Sequence, residues 1–114
     1  MKYHNRKTIV DGITFDSKAE AERYQELVLL QKSGVISNLQ LQPTYELIPS
    51  FKKNGKTYRQ TVYKADFSYF DHDVERTIIE DVKGVKTPVY KLKKKLFEYL
   101  YKDYEILEIT KGKK

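Results

Sequence analysis

Four side chains in this sequence have the types and spacing for metal-assisted phosphodiester hydrolysis: Glu20, Asp66, Asp81 and Lys83. Asp66 lies in the strand-like run Tyr63-Lys64-Ala65-Asp66-Phe67-Ser68-Tyr69. Asp81 and Lys83 lie in a second run, Thr77 to Lys83, which stops at Gly84. Side chains alternate along a strand, so Asp81 and Lys83 project from one face while Glu80 and Val82 project from the other. If the two runs are neighbours in one sheet, Asp66 can join the face of Asp81. Mg²⁺ takes oxygen ligands and is often held by one or two carboxylates, with water and substrate phosphate completing the shell. Asp66 and Asp81 are the expected ligands, with Glu20 adding a third directly or through water, and Mn²⁺ is expected to substitute. Lys83 either orients the attacking water and stabilises transition-state charge or acts as a base, and the sequence leaves both roles open.

Each acid also has a structural reading. Ser17-Lys18-Ala19-Glu20 matches a capping box, so Glu20 alone is well explained as a helix cap. Its angular neighbours Tyr24, Leu27, Val28 and Gln31 nevertheless place it on the stripe expected to face a sheet. Asp disfavours strands, so Asp66 and Asp81 each need a compensating reason for their positions. His4 and His72 stand in no metal-pair or nucleophile–base context, and the five glycines are too scattered for a phosphate-cradling loop.

The chain has 114 residues, which is the size of one domain with one core. It has no cysteine, so disulfides and thiolate metal sites are excluded. No run approaches membrane-spanning length and the amino terminus lacks the apolar stretch of a secretory signal, so a soluble intracellular protein is expected. Twenty-two Lys and Arg against sixteen Asp and Glu give a net charge of +6. The excess is concentrated at Lys2 to Lys7, Lys52 to Arg59, Lys83 to Lys95 and Lys111 to Lys114. Such a surface attracts polyanions.

The elements that must position these residues follow from pattern. Residues 1–10 read as a basic arm ending in an extended piece at Thr8 to Val10. Asp11-Gly12 then makes a turn into Ile13-Thr14-Phe15. A helix capped by Asp16 or Ser17 runs to Lys32 or Ser33 and stops at Gly34. Asn38 to Ile48 reads as a strand whose Pro43 implies an edge or a bulge. Asn54-Gly55 is a hairpin turn, and a long strand or strand pair follows from Thr57 to Phe70. After a turn at Asp71-His72-Asp73 comes the strand Glu75 to Lys83. The second helix spans Val89 to Tyr101 with Val89, Leu92, Leu96, Tyr99 and Leu100 on its apolar stripe. Tyr104 to Ile109 is a last strand, expected to pair parallel to an interior one through a crossover.

The segments Phe15-Asp16-Ser17-Lys18-Ala19-Glu20-Ala21-Glu22-Arg23-Tyr24, Gln42-Pro43, Tyr63-Lys64-Ala65-Asp66-Phe67 and Glu80-Asp81-Val82-Lys83-Gly84 carry a resemblance. The arrangement resembles the PD-(D/E)XK nuclease superfamily. More closely, nearly the whole chain is similar to small phage and prophage proteins known as a domain of unknown function. The resemblance implies an α/β fold with a restriction-endonuclease-like core, a mixed sheet flanked by helices in the order α-β-β-β-α-β, as one domain over residues 1–114. It implies Glu20 as the helix acid, Asp66 as the first strand acid, and Asp81 with Lys83 as the signature pair. Ala65 stands where the motif has Pro, and Asp81 is the shorter of the two permitted acids.

The expectation is a Mg²⁺-dependent DNA endonuclease of phage or mobile-element origin, cytoplasmic in a bacterial host, acting in recombination, replication or packaging. Lys86, Lys91, Lys94 and Lys95, which follow the signature, and Lys2, Arg6 and Lys7 in the arm are the expected DNA-backbone contacts. Two alternatives stand beside it: a non-catalytic DNA-binding module of the same fold, and a subunit that cuts only with a partner. A second copy of the chain or a phage or host protein could be that partner.

Overall fold

The computed structural model describes residues 7–110, which form ten strands and two helices. The order begins with a hairpin of β1 (Thr8–Val10) and β2 (Ile13–Phe15), paired antiparallel across Asp11-Gly12. Helix α1 (Lys18–Lys32) follows. Ser17 caps it by accepting the backbone N–H of Glu20 at 3.1 Å. Its buried residues Glu20, Ala21, Tyr24 and Leu27 lie on the expected stripe.

A four-stranded mixed sheet forms the centre. Its order is β10 (Glu105–Ile109), β9 (Arg76–Val82), β8 (Phe67–Asp71) and β3 (Ile36–Leu41). β3, β8 and β9 are antiparallel neighbours, and β10 pairs parallel to β9 as expected for the final strand. Beside the sheet, β4 (Thr44–Ile48) pairs with β7 (Thr61–Lys64). β5 (Phe51–Lys53) and β6 (Lys56–Tyr58) form a separate hairpin at Asn54-Gly55.

Both extended spans read from the sequence, one as a strand and one as a long strand or strand pair, are divided further. Asn38 to Ile48 divides at Gln42-Pro43, and the span Thr57 to Phe70 divides into β6, β7 and β8. The second break matters most. Tyr63, Ala65, Phe67 and Tyr69 would share one face of an unbroken strand. Instead Tyr63 and Ala65 pack with Ile79, Tyr90, Phe97 and Ile106 on the side of α2 (Pro88–Leu100). Phe67 and Tyr69 pack with Phe15, Tyr24, Leu27 and Ile78 on the side of α1. The chain therefore changes face at Asp66. Paired backbone bonds close the seam: Gln42 N–H to Asp66 O at 2.9 Å, Ala65 N–H to Pro43 O at 3.0 Å, and Asp66 N–H to Glu80 O at 3.0 Å.

Of the apolar stripe expected for α2, only Leu96 is half-buried against the core, and the rest is corrected. Val89, Leu92, Tyr99 and Leu100 are exposed, and Tyr90 and Phe97 are buried instead. Phe97 sits among the rings of Tyr45, Tyr63 and Tyr101, with centroids 5.0, 5.3 and 4.9 Å away. Aromatic residues bury more area than Val or Leu, and lysine stems can cover apolar surface. Lys93 and Lys94 are half-buried beside them.

Candidate active site

β9 positions two acids on opposite faces by strand alternation. Glu80, 0 % exposed, points toward α1. There Arg23 Nε donates to its Oε1 at 2.8 Å and Arg23 Nη2 to its Oε2 at 2.6 Å, while the Tyr69 hydroxyl also donates to Oε2. Burial and the Glu80 carboxylate push the Tyr69 hydroxyl pKa up. This bidentate pair ties α1 to β9 and accounts for Glu80 structurally, in agreement with the parity that set it apart from Lys83.

Asp81 and Lys83 occupy the other face, with Lys83 Nζ 3.4 Å from Asp81 Oδ1. Asp81 is 2 % exposed, and its Oδ2 accepts a hydrogen bond from Tyr63. The Lys83 ammonium also lies 4.1 Å from the Tyr90 ring centroid, a cation–π contact that fixes its direction. The Tyr90 hydroxyl in turn donates to Glu108 at 2.7 Å.

Asp66 stands at the seam between the two faces. Its Oδ2 accepts the backbone N–H of Val82 at 2.7 Å, which supplies β9 with the partner that the broken strand does not. This is the compensation an aspartate in such a position requires. Its protonation is influenced by both Glu20 and Asp81. Glu20 is 5 % exposed and its Oε1 accepts the backbone N–H of Asp16 at 3.3 Å. It thus serves the helix start and the acid cluster together. Of the four residues read from the sequence, Glu20 and Asp66 line one cleft and Lys83 pairs with Asp81.

The electrostatics of the cluster are those of acids short of positive charge. Burial, with the neighbouring Glu20, pushes the Asp66 carboxyl up to about 7 against the pull of the Val82 N–H. Burial and the charge of Asp66 push Asp81 up to about 6, while Tyr63 and Lys83 pull it down. Glu20 and Asp66 form part of the wall of an open cleft of about 160 Å³, bounded by the β1–β2 hairpin and by Leu41 and Gln42. Gln42 holds a left-handed backbone, φ 51°, at this rim.

The donor set is three carboxylates, which suits a hard divalent cation. Among the described residues no group of three or more His, Cys, Asp or Glu is arranged to hold a metal ion. An ion such as Mg²⁺, which keeps several waters and needs only one or two carboxylates, is the kind this donor set could suit.

The lysines expected to contact DNA divide into three groups. Lys2 and Arg6 lie outside the described residues. Lys86 and Lys94 pair with Glu108 at 2.9 and 3.3 Å, so in this structure they hold a carboxylate. Together with Tyr90 they pull the Glu108 carboxyl down to about 2. Lys91 and Lys95 are exposed on α2, and Lys7 is exposed beside Asp16 at 3.3 Å. The supporting residues Tyr63, Tyr90 and Arg23 were not among the site residues read from the sequence. Arg23 and Tyr63 stood within the segments that carry the resemblance, but neither was given a role there.

The match to known proteins extends over the whole chain. Residues 1–114 fit the family model described as "Protein of unknown function (DUF1064)", and the protein belongs to that family. No curated protein and no solved structure matches it.

Proposed function

We propose that this protein is a metal-dependent DNA endonuclease built on a PD-(D/E)XK, restriction-endonuclease-like core, with one catalytic domain spanning residues 1–114. The observation that carries the reading is the convergence of Glu20, Asp66, Asp81 and Lys83 at a strand break beside an open cleft. Asp66 and Asp81 would hold Mg²⁺ or Mn²⁺, with Glu20 as a further ligand directly or through water. When bound, the ion lowers the pKa of water and offsets charge on the phosphoryl oxygens.

The chain's own residues supply the rest. Lys83, held between Asp81 and the Tyr90 ring, presents its ammonium where charge develops on the phosphate. Tyr63 fixes the Asp81 carboxylate so that its other oxygen faces Lys83. The Arg23–Glu80 pair holds the helix bearing Glu20 against the strand bearing Asp81. Exposed Lys91 and Lys95 provide backbone contacts for the nucleic acid.

The test is cleavage of linear, nicked, forked and four-way-junction DNAs with and without Mg²⁺. Asp81→Ala is expected to abolish Mg²⁺-dependent cutting while DNA binding persists. Cutting by that variant at the wild-type rate would refute the assignment. Activity that appears only when a phage or host protein is added would identify the chain as a nuclease subunit. Salt-sensitive binding without cutting on any substrate would leave a binding module.

A further inference from the structure

Residues 48–60 are exposed without interruption, and β5 and β6 touch no other element. A lone two-stranded ribbon is marginal in water. Here it is held by the register Phe51↔Tyr58, Lys52↔Thr57 and Lys53↔Lys56. The Asn54-Gly55 turn, φ 53° and 74°, suits the twist of such a hairpin. Phe51 stacks on Tyr58, with centroids 4.8 Å apart and planes 12° from parallel.

That register puts Phe51, Lys53, Lys56 and Tyr58 on one face and Lys52 with Thr57 on the other. Lys53 and Lys56 are directly opposed, and like charges so placed destabilise a ladder. No acid occurs between Glu46 and Asp66, while Lys52, Lys53, Lys56, Arg59 and Lys64 all do. Lys56 Nζ lies 5.2 Å from the Tyr58 ring centroid, and no acid within the ribbon offsets the two opposed charges.

We infer that the β5–β6 ribbon is a second nucleic-acid contact that enters a groove of duplex DNA, with Lys52, Lys53 and Lys56 on the phosphates. Cations stand on both faces of the ribbon, as contact with the two walls of a groove requires and as one-sided docking of a peptide does not. Strands about 4.8 Å apart fit within a major groove about 12 Å wide. The inference rests on the proposed nuclease function only for the relation between ribbon and cut. The ribbon rises from the β4–β7 pair that ends beside Asp66. At ~3.3 Å per residue the ten steps from Lys56 to Asp66 span at most about 33 Å, or about 10 base pairs at ~3.4 Å each. The ribbon's footprint is expected within that distance of the cut phosphate.

The experiment measures binding of the full chain to a short duplex across a salt series, with chelator present so that nothing is cut. Replacing Lys52, Lys53 and Lys56 together by Gln is expected to lower the slope of log affinity against log salt by about 2.7, at ~0.9 per phosphate contact. That is on the order of a hundredfold weaker binding at physiological ionic strength. An unchanged melting temperature is expected alongside, because the ribbon packs on no other element. Unchanged affinity and slope in the variant would overturn the inference. So would wild-type protein that binds poly-L-glutamate, or single-stranded DNA, as tightly as the duplex. A wild-type protein that binds duplex through the ribbon yet never cuts with Mg²⁺ would refute the nuclease function and leave the ribbon's role standing.

Discussion

Substituting Asp66 by Asn tests whether the acid cluster is short of positive charge. The Asp66 carboxyl moves from 3.8 to about 7 on folding, chiefly because it is buried. A carboxyl raised in this way favours the folded state while protonated. That contribution is full below pH 3.8 and is lost as pH rises to about 7. Between pH 5 and 7 the loss is about 2–3 kcal/mol at ~1.4 kcal/mol per pH unit. Asn is neutral throughout, and its carbonyl oxygen can still accept the Val82 N–H. Its stability relative to wild type should therefore grow by about 2–3 kcal/mol between pH 5 and pH 8. The stronger bond from Val82 to the ionised carboxylate is already contained in the shifted pKa. The assay is urea denaturation of both proteins at the two pH values, with chelator or with Mg²⁺. Mg²⁺ should stabilise the wild type at pH 8 far more than the variant. A pH-independent difference between the proteins, or equal stabilisation of both by Mg²⁺, would refute the reasoning.

Three other outcomes follow from the same contacts. Arg23→Ala leaves the Glu80 carboxylate buried without its cation and should cost about 3–5 kcal/mol in chemical denaturation; a loss below 1 kcal/mol would refute the clamp. Glu108→Gln removes the charge that occupies Lys86 and Lys94, so DNA binding at low salt should tighten, read by anisotropy titration. Because Glu108 falls from 4.5 to about 2 on folding, wild-type stability should drop as pH falls through that window, and the variant's should not.

The opposite facing of Glu80 and of Asp81 with Lys83 was legible in the sequence because alternation along one strand is enough to separate them. The Ser17 cap and the α1 stripe were legible for the same local reason, as was the Asn54-Gly55 turn. What the sequence did not reveal were features set by partners distant along the chain. Nothing near Asp66 signals that the strand changes face there, since the break depends on pairing with Gln42-Pro43 and Glu80. The stripe of α2 was misread because the aliphatic pattern of Val89, Leu92 and Leu100 is more regular than the aromatic one that is buried. Lys86 and Lys94 read as free cations because Glu108, their partner, lies beyond the helix.

The hydrogen bond from Val82 to Asp66 makes the two aspartates unequal in what they tolerate. Asp81 hydrogen-bonds only side chains, so any small residue could follow it in a lineage that no longer needs the chemistry. Asp66 also completes the backbone of β9, and a successor there must still offer an oxygen at the same height. Decay of the reaction would therefore leave a recognisable scar: drift at position 81, and Asn, Ser or Thr retained at position 66.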